Sequence, residues 1–325
     1  MIRPRLLSRH PQVEGCGEVQ TDLGVEVGSI GLPTPVMVAS GTVGHATELA
    51  STMDLSRLGA FVVKSLAATA WPGNPAPRVH PTPAGMINSV GLQGPGVRHW
   101  LQEDLPDLRA LGVHRVVVSI WGRTVEEYGE AAEMLADAPR EVIAVEVNLS
   151  CPNLDGGRHL FAHDPAASAE VLGACTVAGR PRWAKLSPNT DRLVEVAGAC
   201  RGAGAEAVTL TNTLLGMVID VETRRPALGA GGGGVSGRAM HPVAVRAVYD
   251  CAAAHPDLPI VGVGGISSGV DAVELMMAGA TAVQVGTAHF ADPRAADRIT
   301  EELADWCRTH RVGAVRSITG AAHER

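Results

Sequence analysis

The chain repeats one pattern from residue 35 to residue 287: a short apolar run, a polar or glycine-rich ending, then a longer helix-like stretch. Runs this short, rich in Val, Ile and Ala, read as buried strands. Pro35 to Ala39, Phe61 to Val63, Val116 to Ile120 and Val142 to Leu149 are the first four. Trp183 to Leu186, Ala207 to Leu210, Ile260 to Val263 and Ala282 to Val285 are the second four. Helix-like segments between them include Ala46 to Leu58, Val125 to Ala136 and Asp191 to Arg201. Repeated strand–helix units of this kind predict an α/β fold, a parallel (β/α)8 or TIM barrel. An open doubly wound sheet is the alternative, but it usually has fewer strands and a switch point. The strand endings favour the barrel. Ser40, Lys64, Ser119, Asn148, Lys185, Asn212, Gly265 and Thr287 all fall at carboxyl ends, which a barrel gathers on the face where active sites are built.

Three stretches depart from the repeat. Residues 1–30 lack a strong period and read as a short N-terminal arm, with room for a hairpin; 31–310 hold the barrel and 311–325 a C-terminal tail. Two connections are long, Ala67 to about Val97 and Leu214 to Met240. Long ordered connections in compact domains usually serve function. Met86, Ile87, Val90 and Leu92 give the first enough apolar character to fold as an active-site cover.

Composition narrows the classes. The chain has 325 residues, 46% hydrophobic and 19% charged, an ordinary globular balance. A net charge of −7 argues against a nucleic-acid surface. No apolar run approaches the length of a membrane span, and the basic first residues lack the apolar segment of a secretory signal. Six cysteines are scattered without CxxC or Cys/His metal spacing, which suggests free thiols in a reducing cytoplasm and no metal site.

The richest chemistry lies in Val145-Glu146-Val147-Asn148-Leu149-Ser150-Cys151-Pro152-Asn153, a strand delivering a thiol flanked by two carboxamides. An arbitrary cysteine is usually inert core; Cys151 follows the strand instead of lying in it, and reads as a catalytic base. An unperturbed thiol titrates near a pKa of about 8.5, so it needs nearby positive charge to act at neutral pH. Lys64 and Lys185 end strands on opposite sides of the mouth, where a lysine must meet an anion, join an ion pair or form a Schiff base. Gly262-Val263-Gly264-Gly265, Val285-Gly286-Thr287 and the run Gly231 to Gly234 before Ser236-Gly237 suit a phosphate, whose oxygens backbone N–H groups can approach. His45, His80, His99 and His114 show no paired spacing and read as surface or loop residues.

These residues resemble the class 1 dihydroorotate dehydrogenases, flavin barrels of pyrimidine synthesis. The likeness runs from about Pro35 to Pro293. It is carried by Val38-Ala39-Ser40-Gly41, Pro72-Gly73-Asn74-Pro75, Gly85-Met86-Ile87-Asn88 with Gly91-Leu92-Gln93, and Asn148 to Asn153. Further along it is carried by Lys185-Leu186-Ser187-Pro188, Asn212-Thr213-Leu214-Leu215-Gly216-Met217, Gly262 to Ile266 and Gln284 to Ala288. The Gly-Asn-Pro and Leu-Leu-Gly-Met segments look most like the catalytic subunit of the NAD-linked subclass.

The resemblance implies roles. Cys151 would take the C5 proton of dihydroorotate while the C6 hydride passes to flavin N5, with Lys64 between substrate and flavin. Asn88, Asn148, Asn153, Asn212 and Thr213 would bind the substrate, and backbone groups of Val90, Gly91 and Leu92 would close over it. FMN would be held by Ala39, Ser40, Gly41, Lys64, Ser65, Ser119, Asn148, Thr211, Gly237, Gly264, Gly265, Gly286 and Thr287, with Lys185 near N1/O2. Implied partners are a second subunit carrying FAD and an iron–sulfur cluster, and a homodimeric core. Departures from the family pattern are Trp121 for a small residue, Ser119 for Asn, Gly94 for Asn and His241 for Lys.

Three other readings start from the same residues. A dihydropyrimidine dehydrogenase-like reductase of uracil or thymine shares the Ser-Cys-Pro motif but typically follows it with His, not Asn153. A tRNA-dihydrouridine synthase would want a basic face and a C-terminal helical domain. A non-catalytic phosphate-binding barrel would carry no flavin.

Overall fold

A computed structural model describes residues 21–150 and 161–323. The eight expected strands are present as β1 (Val36–Val38), β2 (Phe61–Val62), β3 (Val116–Ile120), β4 (Val142–Asn148), β5 (Arg182–Lys185), β6 (Ala207–Leu210), β7 (Ile260–Val263) and β8 (Ala282–Val285). They pair in parallel in sequence order, and Val283 beside Val36 and Val285 beside Val38 close the ring. Closure decides between the two candidate architectures: an open sheet has edges, and this one has none.

The strands are buried on both faces, which is why they read as near-continuous apolar runs. Helices Val125–Glu133, Pro165–Ala174, Leu193–Gly202, His241–Ala254, Gly269–Met277 and Ala295–Thr309 pack outside them. Their starts are legible: Thr124 accepts from Glu127 N–H, Asp164 from Ala167 N–H, and Ser268 with Asp271 forms a full capping box.

One expected helix is absent. Residues 46–58 fold as turns followed by a short 3-10 turn, Leu55–Arg57. Polar side chains capture the backbone groups a helix would use. Glu48 accepts from the N–H of His45 (2.8 Å) and of Ala46 (2.9 Å), Thr52 donates to Leu49 O (2.7 Å), and Asp54 accepts from Ser56 N–H (3.0 Å).

Residue 30 lies within a hairpin, Val25–Val27 against Ile30–Leu32, whose apolar side chains are buried. Its turn is held where Ser29 donates to Glu206, just before β6, so it covers the amino-terminal end of the barrel. The opposite end is roofed by the two long connections. Val79–Thr82, Gly85–Asn88, Gly233–Ser236 and Leu214–Gly216 assemble into one antiparallel sheet. Val235 pairs with Ile87 and with Leu214, so segments nearly 150 residues apart in the chain share one cover.

Candidate active site

Between barrel and cover lies a cavity of about 1220 Å³. Its floor is the set of polar strand ends, because a strand leaving the barrel carries its last side chains to the mouth. Asn148 sits beside Lys185 in the β4–β5 register, and Lys185 beside Thr209 in β5–β6. Asn88, Val90, Gly91, Leu92, Asn148, Asn212 and Thr213, the described residues expected to hold a substrate, all line this one cavity. So do Ala39, Ser40, Gly41, Lys64, Ser65, Lys185, Thr211, Gly237, Gly264, Gly265, Gly286 and Thr287. Cys151 and Asn153 lie outside the described residues.

The amide end is a linked network. Asn212 Nδ2 donates to Asn148 Oδ1 (3.1 Å), and Asn148 Nδ2 donates to Ser65 Oγ (3.3 Å). Tyr128 OH donates to the Asn148 carbonyl (2.6 Å) and fixes the strand end from outside. Asn212 Oδ1 accepts from Thr213 N–H (2.8 Å), while Asn189 donates to Thr213 O (2.9 Å). Asn88 reaches across the cover to Gly234 O (3.4 Å). Leu92 adopts φ 61°, a conformation rare for a side-chain-bearing residue, at the point where the cover turns over the cavity.

The other end is a glycine cradle. Gly264 and Gly265 follow β7, Gly286 and Thr287 follow β8, and Gly237 closes from the cover. Gly265 has φ +70°, and a Cβ there would stand 2.6 Å from His241 Cβ, so the turn needs glycine on both counts. Thr287 and Ser236 are joined by their hydroxyls at 2.8 Å, which ties the cover to the barrel. His289 Nδ1 meets Gly286 O at 3.0 Å; burial holds this imidazole below its ordinary pKa.

Several placements differ from the reading of the sequence. Ser119 is fully buried and does not reach the cavity wall; its hydroxyl pairs with Ser65 Oγ at 2.9 Å and supports that residue from behind. The tetraglycine run lies toward the amide end instead of forming a phosphate loop. Gly233 and Gly234 are strand residues, and a Cβ on Gly234 would stand 2.0 Å from Thr213 Oγ1. Trp121 is off the cavity wall, packed edge-on to Trp71 at 5.8 Å. His45 is a loop residue, as expected, but half-buried: its Nε2 is buried with no partner among the described residues, and desolvation lowers its pKa. His80 lines the cavity rim. Cys175, Cys200 and Cys251 are buried core thiols, each pushed up to about 12.

Lys185 is the member of an ion pair, with Nζ 3.3 Å from Glu146 Oε1, and it lines the cavity as well. Glu146 was legible only as the polar residue between Val145 and Val147. Its parity with Asn148 is the signal that it faces the barrel interior.

A family model described as dihydroorotate dehydrogenase matches residues 22–306. Among curated proteins, one from Geotalea uraniireducens is 47% identical over 301 residues, 92% of this chain and 98% of that protein. Proteins from Trichlorobacter lovleyi (46% over 300 residues) and Geobacter sulfurreducens (45% over 301) cover the same 92% and 98% of the two chains. All three are named dihydroorotate dehydrogenase B (NAD(+)), catalytic subunit. With a match over most of its length and a closed barrel carrying this network at its mouth, the chain belongs to the dihydroorotate dehydrogenase family.

Proposed function

We propose that this protein oxidises (S)-dihydroorotate to orotate in pyrimidine biosynthesis, with FMN in the cavity and Cys151 as the general base. The observation that carries the reading is the shared cavity wall: linked amides, a glycine cradle and the lysines Lys64 and Lys185 all line one cavity. A volume of about 1220 Å³ exceeds what one small ligand fills, and suits a flavin nucleotide together with a substrate. The donors fit the cofactor. Thr211 Oγ1 is buried on the wall with no partner among the described residues, as expected of a hydroxyl waiting for a ligand. Gly264, Gly265, Gly286 and Thr287 would take the phosphate; Ala39, Ser40, Gly41 and Ser65 would flank the ring system. When bound, the flavin supplies the two-electron acceptor for the C6 hydride.

The chain's own residues do the rest. Cys151 takes the C5 proton onto its sulfur, and positive potential from Lys64 and Lys185 favours the thiolate it needs. Asn88, Asn148, Asn153, Asn212 and Thr213 orient the substrate ring and carboxylate. The cover, including Val90, Gly91 and Leu92, excludes water, which strengthens each polar contact beneath it.

The relatives' names as NAD(+)-linked catalytic subunits support a second, electron-carrying subunit with FAD and an iron–sulfur cluster. Exposed apolar side chains of Leu215, Met217 and Ile219 at the cover edge support a homodimeric core. The four described cysteines, Cys175, Cys200, Cys251 and Cys307, are buried free thiols, which supports a cytoplasmic location. No described helix is long and apolar enough to cross a membrane.

Anaerobic titration tests the reading. Dihydroorotate should bleach the flavin absorbance, and Cys151→Ser should slow bleaching at neutral pH by about 10²-fold or more. Bleaching by a reduced uracil but not by dihydroorotate would overturn the substrate, and a wild-type rate in Cys151→Ser would overturn the base.

A further inference from the structure

The barrel interior holds a carboxylate that no step above uses. Glu146, midway along β4, is fully buried and lies off the cavity wall. Its Oε1 accepts from Lys185 Nζ (3.3 Å), and its Oε2 accepts from Thr209 Oγ1 (3.0 Å) and Gln284 Nε2 (2.7 Å). The donors come from β5, β6 and β8, so four strands converge on one side chain. Such a carboxylate is tolerated only when paired and hydrogen-bonded, and here both oxygens are engaged.

The cation is chosen as narrowly as its partner. The sequence has 27 Lys and Arg residues, and only two are lysines, Lys64 and Lys185. Both line the cavity. An arginine at 185 would turn its planar fork onto the carboxylate. An ammonium has three donors, and among the described residues Glu146 is the one acceptor that Lys185 Nζ meets, so N–H groups remain to face a ligand. Behind that ammonium the carboxylate contributes an opposing charge, and in a low-dielectric interior the field at the cavity depends on both.

We propose that Glu146 is the positioning residue for Lys185, fixing the ammonium against the cavity floor and offsetting part of its charge. The pair, not the lysine alone, then sets how strongly a bound flavin favours its reduced form. The proposal rests on reading the cavity as a flavin site.

The test measures the midpoint potential of the bound flavin by equilibration with a reference dye, in wild type, Glu146→Gln, Lys185→Met and the double variant. Glu146→Gln keeps the shape and removes the negative charge. With Lys185 present it should shift the equilibrium toward reduced flavin at least tenfold, about 30 mV for a two-electron couple. With Lys185→Met the carboxylate has lost its cation, an unpaired charge is not sustained in such an interior, and the same change should shift the equilibrium less than about twofold. Equal shifts in both backgrounds, or none with Lys185 present, overturn the proposal.

Should Lys185→Met fail to hold flavin, side-chain nitrogen NMR of isotope-labelled lysine decides. Two lysines give at most two signals, and that of Lys185 is the one lost in Lys185→Arg. It should move in Glu146→Gln while that of Lys64 stays; an unmoved Lys185 signal overturns the proposal. This readout needs neither flavin nor dihydroorotate. Failure to oxidise dihydroorotate would therefore sink the functional reading and leave the Glu146–Lys185 relation to its own result.

Discussion

Asn212 Nδ2 donates to Asn148 Oδ1 at 3.1 Å, linking the ends of β6 and β4 over the intervening β5. The bond orients both amides: Asn148 turns its Nδ2 toward Ser65, and Asn212 keeps its Oδ1 for the Thr213 N–H. Asn212→Ala breaks this chain and leaves the Asn148 oxygen, among the described residues, with the longer bond from Ser150 N–H (3.3 Å) alone. A lost hydrogen bond to a charged ligand is worth about 1.5–3 kcal/mol. The rate constant for flavin reduction by dihydroorotate over its KM should fall roughly 10- to 100-fold, with the flavin spectrum intact. A wild-type value would remove Asn212 from substrate binding.

Gly234 tests the cover. A methyl group there would stand 2.0 Å from Thr213 Oγ1 and 2.7 Å from Thr213 Cβ, and Thr213 is itself pinned by Asn189. Gly234→Ala must displace the threonine or part the cover strands, costing about 1–3 kcal/mol as overpacking. Gly173→Ala, in helix Pro165–Ala174 with nothing within 4 Å of the new methyl, should instead stabilise by about 0.5–1 kcal/mol. Thermal unfolding of the two variants should move in opposite directions, and only Gly234→Ala should raise KM.

The barrel was legible because its strands read as short, mostly apolar runs, and the site because polar residues gather where those runs end. The cover was not. Its strands, such as Gly85–Asn88 and Gly233–Ser236, are short, glycine-rich and without alternation, and they exist through pairing between distant segments. Glycine weakens any local strand signal, so only the tertiary partner reveals it. Ser119 shows a related limit: a strand-end hydroxyl looks alike in sequence whether it faces the cavity or, as here, pairs with the residue that does. The 46–58 segment has helix-compatible spacing, but its Glu48, Thr52 and Asp54 side chains bond the local backbone first.

Trp121 stands just past the end of β3, buried and off the cavity wall, against Trp71 of the first long connection. It meets Trp71 edge-on at 76°, and Arg123 lies 4.7 Å over the Trp71 ring while forming a fork to Glu127. This cluster clamps the first long connection to the barrel wall. Trp121→Ala should cost about 3–5 kcal/mol of stability through the cavity it leaves. Limited proteolysis should cut within residues 67–97 faster than in wild type, while the flavin absorbance maximum stays put. A shifted flavin spectrum with unchanged proteolysis would place Trp121 at the cofactor instead.

Acid should loosen the cradle end of the site through His289. The imidazole is buried, its Nδ1 meets Gly286 O, and its Nε2 has no partner among the described residues. Desolvation lowers its pKa from the ordinary 6.5, with Gly286 and Asp292 opposing the shift only in part. The unfolded chain therefore binds more protons than the folded one below pH 6.5, down to the depressed folded value. Stability is full above that upper limit, falls as pH drops through the window, and levels off once both states are protonated. His45, lowered by the same cause, adds to the slope. Thermal unfolding between about pH 7 and about pH 5 should show this decline, and His289→Gln should flatten it without abolishing it. A variant with the full wild-type slope would show that the His289 imidazole does not carry the decline.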